Sequence, residues 1–124
     1  MGLWLLLAGL NGAVAVGFAA WGSHGAEGDA IRWVERASQF QLLHAIALLA
    51  LARHCSEGLR LMRPAAWLMA AGIVLFSGSL YLKALAIALP VPMVTPLGGL
   101  CLMGSWLLLA LGGWLSRSQS GKTA

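Results

Sequence analysis

The side chains that invite a chemical reading are His24, Gln41, His44, Ser77, Ser79 and Tyr81, because each stands in or beside a long apolar run. Ionisable and hydrogen-bonding groups in such surroundings are costly and normally face an interior. Two readings follow. Gln41, His44, Ser77, Ser79 and Tyr81, with His24 nearby, can line a small polar pocket that binds a ligand or passes a proton. Alternatively they join helices, since serine, amide and neutral imidazole groups hydrogen-bond across helices for about 0.6 kcal/mol each. The lack of a carboxylate within the same runs favours the second. A metal or haem site would need His24 and His44 at matching depth. No His-rich spacing on one helix accompanies them, and Cys55 and Cys101 fall toward opposite ends, so no metal and no cofactor is expected. No nucleophile stands at a readable spacing from a base, and no glycine loop suits a phosphate, so no catalytic residue and no enzyme is expected.

Composition says what must position these groups. Of 124 residues, 60% are hydrophobic before 16 glycines are counted, far above a soluble domain. Eight Lys or Arg against four Asp or Glu cannot furnish a soluble surface. The resulting charge of +4 is scattered among apolar segments rather than gathered in a stripe, which argues against nucleic acid. The expected partner is the lipid bilayer.

Four elements emerge, and the expected fold class is an all-α, integral membrane four-helix bundle in a single domain. The run 3–22 contains one strongly polar residue, Asn11, and matches a hydrocarbon core of about 30 Å. It lacks a basic leader segment, and its apolar stretch continues past Ala15, so it reads as a retained helix rather than a signal peptide. The second span, 37–54, is short and carries Gln39, Gln41 and His44. An interfacial helical start near 29, capped by Asp29, lengthens it. Pro64 suits the opening of the third span, 65–85. Pro90, Pro92 and Pro96 form a stiff turn before the fourth, 97–115, and 116–124 reads as a flexible tail.

Four spans place both termini on one side. Arg53, Arg60, Arg63, Arg117 and Lys122 lie there, against Arg32, Arg36 and Lys83 opposite, so both termini are expected in the cytoplasm. His24, His44, Ser77, Ser79 and Tyr81 then fall toward the outer leaflet. Gly9, Ala13 and Gly17 repeat every four residues and form a helix-packing groove, expected to receive a neighbouring span or, as a sharper reading, a second copy or a larger membrane complex. Trp4, Trp21, Trp33, Trp67 and Trp114 are interfacial anchors, and Trp106 is expected to fill core.

Several strings carry a resemblance: Gly22-Ser23-His24-Gly25, Phe40-Gln41-Leu42-Leu43-His44-Ala45, Leu75-Phe76-Ser77-Gly78-Ser79-Leu80-Tyr81-Leu82, and Thr95-Pro96-Leu97-Gly98-Gly99. In this order they resemble the small four-span membrane proteins of uncharacterised protein family 0382, also called domain of unknown function 423, with eukaryotic relatives named transmembrane protein 256. The resemblance implies a multi-pass location in the bacterial inner membrane and a four-helix architecture. It transfers no catalytic residue. Lys83 and Ser105 depart from it, where an apolar residue and a glycine are usual. The expected role is a non-catalytic accessory or structural membrane component, the alternative being a small oligomeric transporter or channel with an outward-facing pocket around His44.

Overall fold

A computed structural model describes residues 1–89 and 92–123, with the side chain of residue 123 left aside. Its regular elements are four helices, α1 (Gly2–His24), α2 (Asp29–Ser56), α3 (Met62–Ala84) and α4 (Val94–Thr123), and no strand occurs among the described residues. The chain is therefore an all-α membrane bundle. Each helix packs on its sequence neighbour, α1 on α2, α2 on α3 and α3 on α4. Helices α2 and α3 form the inner pair, while α1 and α4 expose most of their surface.

Local chemistry explains the boundaries. Helix α1 ends where Gly25 N–H bonds to Trp21 O at 2.7 Å, and Gly28, at φ +59°, makes the left-handed step before α2. Asp29 is the first residue of α2 rather than its cap. No side chain caps that end, and the Asp29 carboxylate instead accepts from Arg32 Nη2 at 3.1 Å, in the first turn where the helix dipole favours negative charge. Pro64 falls in the first turn of α3, where its missing N–H breaks no helical bond. Of the three prolines before the last span, Pro90 lies outside the described residues, Pro92 precedes α4, and Pro96 falls in its first turn.

The segment expected to be a flexible tail is helical: α4 continues without interruption through Thr123. Extending an existing helix adds one hydrogen bond per residue fixed, without the nucleation cost that makes a short polar peptide disordered. Ser116 Oγ also donates to Gly112 O at 2.9 Å, so its hydroxyl bonds back along the helix.

Two contacts show that the ends meet. Trp4 and Trp67 pack edge to face with centroids 4.9 Å apart, joining the start of α1 to the start of α3. At Gly112 an added Cβ would fall 2.6 Å from Arg60 O, so α4 passes against the α2–α3 turn. The start of α1, the α2–α3 turn and the distal part of α4 therefore share one end of the bundle. Three helices are long and apolar enough to cross a membrane: Gly2–His24, Met62–Ala84 and Val94–Lys122. Helix α2 is not among them, because Gln39, Gln41 and His44 interrupt its apolar run.

The packing face of α1 differs from the one expected. Its buried residues are Trp4, Ala8, Ala15 and Gly22, whereas Gly9, Ala13 and Gly17 lie exposed, and a Cβ added at Gly9 or Gly17 would meet nothing within 4 Å. Large side chains decided the rotation. Phe18 stacks on Tyr81 at 3.8 Å between centroids, and Trp4 meets Trp67, so α1 turns its aromatic edge inward and its glycine edge outward. Close backbone approach occurs instead between α3 and α4, where a Cβ on Gly98 would come within 2.8 Å of the Phe76 Cα.

Candidate functional site

Helices α1, α2 and α3 each contribute one polar side chain to a chain of hydrogen bonds. Tyr81 Oη donates to Gln41 Oε1 at 2.6 Å, Gln41 Nε2 donates to Asn11 Oδ1 at 3.0 Å, and Asn11 Nδ2 donates to Leu7 O at 2.8 Å. The last acceptor fixes the direction. A backbone carbonyl can only accept, so Asn11 must turn its amide nitrogen toward Leu7 and its oxygen toward Gln41. Gln41 is thereby left presenting an acceptor, which the phenol fills. Tyr81 and Gln41 are each 6% exposed, so this chain runs inside the bundle. Asn11, one turn beyond Leu7 on its helix, was not among the residues expected in a polar set. Its isolation in an otherwise apolar span was the available signal.

His44, 2% exposed, belongs to a separate cluster. Its Nδ1 lies 2.6 Å from Phe40 O on the preceding turn, and its Nε2 accepts from Trp106 Nε1 at 3.1 Å. A carbonyl requires a donor and an indole N–H requires an acceptor. Only the neutral imidazole protonated at Nδ1 satisfies both. The hydroxyls of Ser77, Ser79 and Tyr81 bond other partners and not this imidazole. Trp106, expected in the core, is 42% exposed on α4 and reaches inward by its N–H alone.

The remaining members of the expected set are dispersed. Ser77 Oγ donates to Ala37 O at 2.8 Å, tying α3 to α2, and Ser79 Oγ bonds Phe76 O at 2.9 Å and the Thr95 hydroxyl. His24 is exposed at the end of α1 and joins none of these groups. His44 lies 15 residues, or about 22 Å, along α2 from the loop that follows His24, so the two imidazoles do not share a depth. Among the described residues, no three His, Cys, Asp or Glu side chains come together as metal ligands. Cys55 and Cys101 are both free thiols, and Cys55 is buried in the core beside Trp4 and Met62.

What this arrangement can do chemically follows from its proton count. Among the described residues, every buried side-chain nitrogen and oxygen has a hydrogen-bond partner within the chain. Ser79 is the member that borders an opening, a depression of about 330 Å³ shared with Lys83, Ile87, Leu89, Pro92 and Thr95. Lys83 Nζ sits 4.7 Å above the Trp33 ring at that end, a cation–π contact. At the opposite end, Arg53 Nε bonds Glu57 Oε1 at 2.9 Å, and that guanidinium holds the Glu57 carboxyl below its usual range.

Comparison with known proteins gives relatives over nearly the full length. A family model described as "Protein of unknown function (DUF423)" matches residues 18–99. The chain is 34% identical over 117 residues to the UPF0382 membrane protein YwdK of Bacillus subtilis (strain 168), covering 90% of this chain and 95% of that one. It is 34% identical over 121 residues to a UPF0382 membrane protein of Haemophilus influenzae, covering 93% and 96%. The UPF0382 inner membrane protein YgdD of Escherichia coli (strain K12) is 30% identical over 118 residues, covering 87% and 86%. No solved structure matches.

Proposed function

The chain belongs to the DUF423 family, the UPF0382 membrane proteins, and on that premise we propose that it is a non-catalytic accessory or structural component of the bacterial inner membrane. In this reading α2 crosses the bilayer with the other three helices, and both termini face the cytoplasm. Five basic residues, Arg53, Arg60, Arg63, Arg117 and Lys122, support that orientation against Arg32, Arg36 and Lys83 at the other end. The "inner membrane" in the name of the Escherichia coli relative supports the location.

One observation carries the functional reading: each buried polar side chain among the described residues is already satisfied by another group of the same chain. A transport pathway needs polar atoms that exchange partners with water or solute, and a catalytic site needs a group left poised for substrate. Here the Tyr81, Gln41 and Asn11 bonds, the Ser77 bond to Ala37 and the His44 bonds to Phe40 and Trp106 all join helix to helix or turn to turn. They hold α2, the least apolar helix, between its neighbours.

Two measurements separate this role from a small oligomeric transporter. Affinity purification from native membranes in a mild detergent should retain a stoichiometric membrane partner. Reconstituted liposomes should show no proton or solute flux above protein-free liposomes. Flux that disappears in His44→Gln would replace the accessory role with transport through a pocket around His44.

A further inference from the structure

The two ends of the bundle differ in charge. Glu27, Asp29 and Glu35 stand with Arg32 and Arg36 near the start of α2, whereas Glu57 is the one acidic side chain near the α2–α3 turn. Glu57 is engaged by Arg53 at 2.9 Å and approached by His54 at 3.8 Å. Among the described residues, Arg60, Arg63, Arg117 and Lys122 therefore have no carboxylate partner. That end carries more basic than acidic side chains among the described residues.

Arg63 has the geometry to take one. Its Nε donates to Cys55 O at 3.1 Å, at the carbonyl-rich end of α2, which fixes the guanidinium in place. Its two terminal amino groups make no hydrogen bond among the described residues. Arg63 lines a depression of about 210 Å³ with Met1, Leu3, Trp4, Cys55, Ser56 and Trp67. Ser56 Oγ spends its proton on Ala52 O at 3.0 Å, so the donors at the depression are the Arg63 guanidinium, the Met1 amino group and the indole N–H groups of Trp4 and Trp67, which make no hydrogen bond among the described residues.

We propose that this depression binds the phosphate of an anionic phospholipid headgroup, held by the free amino groups of Arg63. Guanidinium and phosphate pair bidentately through charge-assisted bonds. A lipid suits the surroundings better than a free anion, because Leu3 (49% exposed) and Trp67 (54% exposed) present apolar surface on which acyl chains can lie. Arg60, Arg117 and Lys122, which have no carboxylate partner among the described residues, add attraction at the same end for an anionic headgroup over a zwitterionic one.

The test uses the full chain purified in detergent, with dioleoyl-phosphatidylglycerol or dioleoyl-phosphatidylcholine added at equal concentration. Thermal unfolding should shift upward with the anionic lipid and much less with the zwitterionic one, as binding to the folded state requires. Arg63→Gln should weaken the anionic-lipid effect about tenfold in the concentration needed. Arg36→Gln, at the other end, should leave it unchanged. Native mass spectrometry of the unaltered protein supplies a reading that does not depend on a variant folding, and it should show phosphatidylglycerol retained in preference to phosphatidylcholine. Equal shifts and equal retention for the two lipids would overturn the proposal, as would an equal loss in Arg36→Gln. A shift of the same size produced by inorganic phosphate alone would assign the site to a free anion and overturn the lipid.

Discussion

Trp106 Nε1 donates to His44 Nε2 at 3.1 Å, so an indole lying 42% exposed on the flanking helix α4 holds an imidazole buried in α2. Because Phe40 O accepts a hydrogen bond from Nδ1–H at 2.6 Å, the two contacts together define a single neutral tautomer. Nitrogen-15 NMR of the histidine-labelled protein should show one protonated and one bare ring nitrogen for His44, with the proton on Nδ1. Trp106→Phe should leave Nε2 without its donor and lower stability by about 1–3 kcal/mol. A His44 signal protonated at Nε2 would contradict the arrangement.

The amide relay makes a second expectation. Tyr81→Phe removes the donor to Gln41 Oε1 while preserving the ring that stacks on Phe18. Its effect on unfolding in detergent should depend on Gln41, with a coupling energy of about 0.6 kcal/mol or more in a double-mutant cycle with Gln41→Leu. Additive effects would mean that the phenol and the amide act independently.

Glycine substitutions should separate the two surfaces of the bundle. At Gly98 an added Cβ would press on the α3 backbone at Leu75 and Phe76, so Gly98→Leu should cost roughly 1–3 kcal/mol or more. At Gly17 the same side chain enters open space, and Gly17→Leu should leave the melting temperature of the monomeric bundle unchanged. A large loss from Gly17→Leu would show that its face is covered in the membrane by another chain.

Reporter fusions test the crossing of α2. Fusions after Gly58 and after Gly121 should report the same side of the membrane, with a fusion after Ala26 reporting the other. The same signal from Ala26 and Gly58 would mean that α2 does not cross.

The Arg53–Glu57 pair sets an acid limit. The Glu57 carboxyl is depressed by its hydrogen bond to Arg53, so its contribution is complete above the ordinary carboxylate range, about pH 4. It is lost as pH falls through the lowered value. Both side chains are largely solvated, so the effect should be small and screened by salt. Melting of Glu57→Gln should show a weaker dependence on pH between about 5 and 3 than the unaltered chain.

The order and type of the elements were legible in the sequence because they depend on local pattern. Uncharged runs and Pro64 at the start of α3 each act within a few residues of where they stand. Helix α4 beyond Ser116 was less legible, since a polar segment that would be disordered alone continues as helix when attached to one already formed. The polar set was legible in part: Gln41, His44, Ser77, Ser79 and Tyr81 are engaged, yet not with one another as a single group. Their partners lie 30, 40 and 62 residues away, at Asn11, across Ala37 and at Trp106. Nothing in a local window distinguishes which distant donor or acceptor will arrive. The same limit applies to Gly9, Ala13 and Gly17. Their spacing marks a face that a backbone can approach, whereas the tertiary structure chose the opposite face of α1, because Trp4 and Phe18 gain aromatic partners on α3 only when the glycines point outward.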